Sequence, residues 1–282
     1  MSEKRYPYCK FTIMEEKQII EEYQAGASMA SLGKKWNCDP STIKNILKAY
    51  QVSARTLSQA RKNFLKETLN EHVFEKIDTP DKAYWLGVMY SDGYISKANS
   101  YTNYFGLSVS SKDKDWLLKF KHFLDYNGKI PDYKTGPTSY KPGSPYSRLQ
   151  IGNNHIVECL EKLGVVEHKT KIIDKIPNID FKDDFIRGYI DGDGSLLKEY
   201  PRLVICGNKN FLIDIAKYFG VKYKIYSDKS IFGLHYNKQE SEYLEKRLYK
   251  NASTFLDRKY NIAKRSFNSP LTLENVKENS LN

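Results

Sequence analysis

The chain has 282 residues, enough for one large domain or two small ones with a sizeable core. Its 40% apolar and 28% charged residues are ordinary globular composition, and no run of about 18 apolar residues is present to span a membrane. Forty-five lysines and arginines against 34 acids leave a net charge of +11, spread along the chain among 22 tyrosines. Such a surface suits a polyanion, because neutralised phosphates release condensed counterions. The opening MSEKRYPYCKFTIMEEK lacks the apolar stretch of a secretory leader, so a cytoplasmic or other DNA-containing compartment is expected, not secretion. Cys9, Cys38, Cys159 and Cys206 are isolated, with no CxxC spacing, and read as reduced thiols filling space.

In chain order, residues 14–50 predict three short helices. Ile19, Ile20 and Tyr23 share a face of the first; Gly26 then permits a turn and Ser28 N-caps the second, which carries Leu32 and Trp36 at i, i+4. Asp39 caps the third, with Pro40 at its first position. Ile43 and Leu47 point inward there, leaving Ser41, Thr42, Lys44, Asn45 and Lys48 outside. A short basic helix after a tight glycine turn resembles the helix-turn-helix family, whose last helix enters the major groove. Residues 1–52 are therefore expected to form a helix-turn-helix domain. Residues 53–77 follow as a basic linker, in which Arg55 and Arg61 can track phosphates.

From there the chain repeats itself. LSVSSKDKDWLLKFKHF aligns with LVICGNKNFLIDIAKYF, placing Leu107, Val109, Leu117 and Phe123 on Leu203, Ile205, Ile213 and Phe219. HKTKI at His168–Ile172 likewise matches RKYNI at Arg258–Ile262. Alternating apolar and polar residues give each half a sheet with one buried face and one wet face. The wet face carries Arg148 and Gln150 in the first half, and Lys222, Lys224 and Tyr226 in the second. The fold class expected is α+β, with repeats over 78–173 and 174–268 and a flexible tail over 269–282.

WLGVMYSDG at Trp85–Gly93 returns as IRGYIDGDG at Ile186–Gly194, with Asp92 and Asp193 101 residues apart. Ala83, Gly87 and Ser91 recur at i, i+4 on one helix face, and Gly188 and Gly192 do so on the other. Stripes of small residues let two helix backbones approach closely. If the stripes pack together, Asp92 and Asp193 arrive at the same end. There each carboxylate meets both its twin and a negative helix C-terminus, an arrangement that a divalent cation relieves. Mg²⁺ suits it best, taking carboxylates together with phosphate oxygens and water. A calcium loop does not fit DGDGSLLKEYPR, where Leu196 and Arg202 replace the required glycine and glutamate.

These two segments resemble the signature motifs of the LAGLIDADG homing endonucleases, in the single-chain, two-motif form. The resemblance implies two pseudo-symmetric αββαββα repeats forming a saddle over double-stranded DNA, no membrane, and a monomer. It implies site-specific double-strand cleavage with Mg²⁺ or Mn²⁺ at a long, near-asymmetric site. Asp92 and Asp193 match the family's metal-binding catalytic acids, and Lys169 and Lys259 match a lysine that assists the transition-state charge. There are departures: Tyr90 stands where the motif often has its first aspartate, and Ser111 and Gly207 stand where some members use a glutamine to order water.

Two other readings compete. A non-cleaving DNA or RNA binder on the same fold, a transcription regulator or an intron maturase, has no need to gather carboxylates near phosphates. An HNH nuclease finds only GNNH at Gly152–His155, where Asn153 reads as a helix cap. The remaining histidines, His72, His122, His168 and His235, form no ligand spacing.

Overall fold

The computed structural model of the chain describes residues 10–56, 67–97, 101–167, 173–228 and 231–278. Arg61, His168 and Lys169 lie outside the described residues. The chain divides into two compact units, Met1–Glu67 and Thr68–Asn282.

In the first unit, α1 (Ile13–Gln24) starts at a capping box in which Thr12 and Glu15 each take the other's backbone N–H. Ser28 and Ser31 do the same for α2 (Met29–Lys35). Asp39 accepts from the Ser41 N–H at the start of α3 (Pro40–Ala49). Gly26, at φ 115°, makes the turn between α1 and α2 in a conformation that side chains disfavour. Phe11, Ile19, Ile20, Tyr23, Leu32, Ile43, Ile46 and Leu47 form one apolar core. The predicted three-helix pattern is present.

The second unit contains two runs of the same element order. The first is α4 (Pro80–Tyr90), β1 (Gly93–Ser96), β2 (Tyr104–Ser110), α5 (Lys114–Phe123), β3 (Asp132–Lys134), β4 (Pro145–Gly152) and α6 (Asn154–Lys162). The second is α7 (Lys182–Asp193), β5 (Gly194–Leu196), β6 (Leu203–Gly207), α8 (Lys209–Phe219), β7 (Lys224–Asp228), β8 (Ile231–His235) and α9 (Lys238–Tyr249). Each is αββαββα. The two antiparallel sheets have matching strand orders, β1-β2-β4-β3 and β5-β6-β8-β7. One contiguous core serves both repeats, from Trp85, Phe105 and Trp116 to Phe185, Phe211 and Tyr236. Then come α10 (Asp257–Ala263) and α11 (Leu273–Glu278). No described helix is long and apolar enough to cross a membrane.

Two expected boundaries move. The linker expected to run to residue 77 gives way to packed chain at Thr68. The Thr68 hydroxyl donates to the Asp125 carbonyl at 2.8 Å, and Val73, Phe74 and Ile77 are buried in the core. Of the tail expected to be flexible over 269–282, the described residues 269–278 are instead docked. Thr272 exchanges hydrogen bonds with Asn275 to open α11, and Val276 and Ser269 are buried. Polar composition hides a few well-spaced apolar residues, Leu271, Leu273 and Val276.

Candidate functional site

The site is built on the contact between α4 and α7. A Cβ placed on Gly87 would lie 1.9 Å from the Phe185 carbonyl oxygen and 2.9 Å from the Tyr189 nitrogen. A Cβ on Gly188 would lie 2.0 Å from the Tyr84 oxygen and 3.1 Å from the Val88 nitrogen. With Gly87 matched to Gly188, Tyr84 falls on Phe185 and Val88 on Tyr189, so each contact is the mirror of the other. This reciprocity is the signature of a twofold relation within one chain. Ala83 and Ser91 are buried on the same helix, and a Cβ on Gly192 would meet the Ser91 hydroxyl at 2.1 Å. Gly87, Gly188, Gly192 and Ser91 thus lie where the two helices approach closely, and Ala83 is buried on α4.

Asp92 follows α4 after Ser91, and Asp193 is the last residue of α7; both are exposed. The two ends meet, since a Cβ on Gly192 would stand 3.2 Å from Asp92 Oδ2. Lys259 reaches the end of α7 from α10. It is 2% exposed, and its ammonium donates to the carbonyls of Ile190 at 2.6 Å, Asp191 at 2.7 Å and Gly194 at 2.7 Å. All three of its N–H donors are thus committed to the C-terminus of α7, where a cation complements the helix dipole. Burial brings its pKa down to about 8, against the opposing pull of Asp191, Asp92 and Asp193. The predicted lysine is beside the acids, but it holds the backbone that carries one of them.

Three further residues near this end escape a motif reading: Asp191, Trp116 and Tyr189. Asp191 is 1% exposed and accepts from the Tyr84 hydroxyl at 2.7 Å, the Tyr249 hydroxyl at 2.7 Å and the Leu256 N–H at 2.8 Å. Burial raises its carboxyl pKa, while Lys259 and these donors oppose that shift. Trp116 extends the chain by donating to the Tyr84 oxygen at 2.7 Å. Tyr189 donates to the Cys206 carbonyl at 2.9 Å, and burial, then the charge of Asp193, pushes its phenol well up. A signal for Asp191 exists: it precedes Asp193 by two residues and so faces a different side of the helix.

Arg148, Gln150, Lys224 and Tyr226 sit on strands as alternation predicts, whereas Lys222, expected on the same wet face, precedes β7. Arg148 is half-buried and Gln150 exposed, alternating with buried Ser147, Leu149 and Ile151. The Arg148 guanidinium lies 5.5 Å from the Tyr146 ring, 5.8 Å from Tyr133 and 6.0 Å from Tyr94, and donates to Ser108 at 3.0 Å. Lys222, Lys224 and Tyr226 are exposed, the tyrosine edge-on to His235 at 4.8 Å. Asn153 caps α6, accepting from the Ile156 N–H at 2.9 Å, which agrees with reading GNNH as a turn.

In the first unit Ser41, Lys44, Asn45 and Lys48 are exposed on α3 and Thr42 is half-exposed. Arg55 departs from its expected place on a phosphate. Its guanidinium donates to the carbonyls of Tyr23 at 3.0 Å, Gly26 at 3.1 Å and Ala27, and it covers the Tyr23 ring at 4.1 Å. Carbonyls in the last turn of α1 and just past it hold it instead.

No protein-family model matches the chain. A curated relative, the DNA-directed RNA polymerase subunit Rpo1C of Methanocaldococcus jannaschii, is 24% identical over 237 residues, covering 79% of this chain and 26% of that one. The chain thus spans about a quarter of the length of the curated relative it matches. Among solved structures, the LAGLIDADG meganuclease I-AabMI bound to uncleaved DNA is similar at TM-score 0.46 and 11% identity, over 71% of this chain and 98% of that one. The I-LtrWI LAGLIDADG homing endonuclease bound to target DNA gives 0.47 and 12%, over 75% and 95%. Mesophilic variants of the homing endonuclease I-DmoI give 0.44 and 16%, over 70% and 99%. These scores mark likeness of outline; the repeat architecture stands on the element order and strand pairing above. In its two motifs and its order of elements, the chain is similar to the LAGLIDADG homing endonucleases.

Proposed function

We propose that the protein is a divalent-metal-dependent DNA endonuclease that cuts both strands of a long, near-asymmetric site. One observation carries the reading: the reciprocal glycine contact brings two exposed carboxylates, one from each repeat, to a single place. The donor set fits a hard cation, because it offers carboxylate oxygens at two helix ends already carrying negative potential. Asp92 and Asp193 would hold Mg²⁺ or Mn²⁺, which when bound supplies Lewis-acid activation of water and neutralisation of phosphate charge.

The chain's own residues set the stage for that chemistry. Gly87, Gly188 and Gly192 fix the separation of the helix ends. Lys259 pins the carbonyls around Asp193, and Lys169 is its sequence counterpart in the first repeat. Arg148 and Gln150 in one repeat, and Lys222, Lys224 and Tyr226 in the other, are the side chains proposed to follow DNA. Because the two sets differ, the site they read is asymmetric. Ser41, Thr42, Lys44, Asn45 and Lys48 on α3 are proposed to contact a further major groove. One chain supplies both halves, so a monomer suffices.

The test is digestion of a randomised duplex library by the full chain in Mg²⁺ or in EDTA, followed by sequencing of the ends. The reading expects a recurrent site cut only in Mg²⁺ by the wild type, and by neither Asp92→Asn nor Asp193→Asn. Recovery of bound but uncut sequences would establish a DNA binder on this fold instead.

A further inference from the structure

Away from the paired acids, ligand-type side chains converge on the surface of the first repeat. His72 and Glu75 sit in the turn ahead of α4, and His155 is in the first turn of α6. Glu75 Oε1 stands 2.7 Å from His72 Nδ1 and 2.6 Å from His155 Nε2, although His155 is 80 residues from Glu75 in sequence. One donor atom from each of the three lies within 4.8 Å of the others. Cys159, one helical turn after His155, places its Sγ 3.8 Å from His155 Nε2. The expectation that His72 stands alone is therefore corrected. Folding brings it to a second histidine and a carboxylate, and the Cys159 thiol, outside that group of three, reaches the second histidine alone.

We propose that His72, Glu75, His155 and Cys159 form a transition-metal site of the zinc type, separate from Asp92 and Asp193. Two imidazole nitrogens, a carboxylate oxygen and a sulfur are the borderline donors that zinc selects, whereas the paired aspartates offer oxygen alone. The Glu75–His72, Glu75–His155 and His155–Cys159 spacings are close to what a tetrahedral ion needs, and Cys159 would turn inward to complete the set. Bonds of about 2.0–2.1 Å to nitrogen and oxygen separate those donors by roughly 3.3 Å, and a bond of about 2.3 Å to sulfur sets nitrogen and sulfur roughly 3.6 Å apart. The imidazole–carboxylate contacts need only open by about 0.6–0.7 Å, by side-chain rotation at exposed positions. The site would tie the turn leading into α4 to α6. Zinc takes the thiolate, so the Cys159 thiol proton leaves to solvent as the Zn–S bond forms.

The full chain, stripped with chelator and titrated with Co²⁺ and then Zn²⁺, tests this. One equivalent of Co²⁺ should give tetrahedral visible absorption with a thiolate charge-transfer band, both displaced by Zn²⁺. Cys159→Ser should lose the charge-transfer band. His155→Ala and the isosteric Glu75→Gln should each weaken binding at least about tenfold. Asp92→Asn should leave the absorption unchanged, which separates this site from the acid pair. Absence of a tetrahedral band in the wild type, its loss in Asp92→Asn, or its survival at full affinity in Glu75→Gln and His155→Ala overturns the proposal.

Discussion

The two repeats fasten the ends of their motif helices with opposite chemistry. In the first, Tyr90 donates its hydroxyl to the Leu163 carbonyl at 2.5 Å, just past α6. In the second, the matching residue Asp191 accepts from Tyr249 at the end of α9 and from the Leu256 N–H. Each ties the motif helix to the end of its own repeat's last helix, one as donor and the other as acceptor. The phenol is neutral, and burial pushes its pKa to about 12. The carboxylate is a buried charge, tolerable only with its donors and with Lys259 close by. The difference teaches that the position two residues before the terminal acid is a fastening point, free to vary in chemistry. What the halves share is the close-packed glycine and the exposed aspartate.

That contrast can be broken in order of cost. Asp191→Leu should be the most damaging, removing about 3–5 kcal/mol of stability in denaturant unfolding, because it takes a buried counter-charge from Lys259 and the acceptor from two buried hydroxyls and the Leu256 N–H. Gly87→Ala and Gly188→Ala should each lose about 1–3 kcal/mol or more, as a methyl is driven into a backbone carbonyl. Their losses should be similar if the interface is truly reciprocal, and a large inequality would count against the twofold relation. Tyr90→Phe should lose only about 1 kcal/mol, the net worth of one hydrogen bond. Equal losses for Asp191→Leu and Tyr90→Phe would show that the charge in the second repeat carries no special weight.

Much of this is legible in the sequence, and the rest has reasons to be hidden. Ser28, Asp39 and Asn153 are readable as caps because capping acts over two or three residues, and Thr12 carries the same local signal. The stripe of Gly87, Ser91, Gly188 and Gly192 is readable because helical periodicity is local. The roles of Arg55, Lys259 and Asp191 are not, because their partners are carbonyls and hydroxyls brought near only by folding. His72 and His155 belong to the same class. Any exposed cation reads alike in sequence, and only the structure distinguishes one that faces solvent from one that closes a helix end.

The central claim is that Asp92 and Asp193 serve one composite site. Strand-resolved cleavage of the recovered DNA site, compared among Asp92→Asn, Asp193→Asn and the double variant, tests it most directly. Residues acting as a unit are strongly non-additive, so each single variant should lose cutting of both strands as fully as the double variant. Loss of one strand's cut in one variant and of the other strand's cut in the other, with the double variant alone inactive on both, would contradict it.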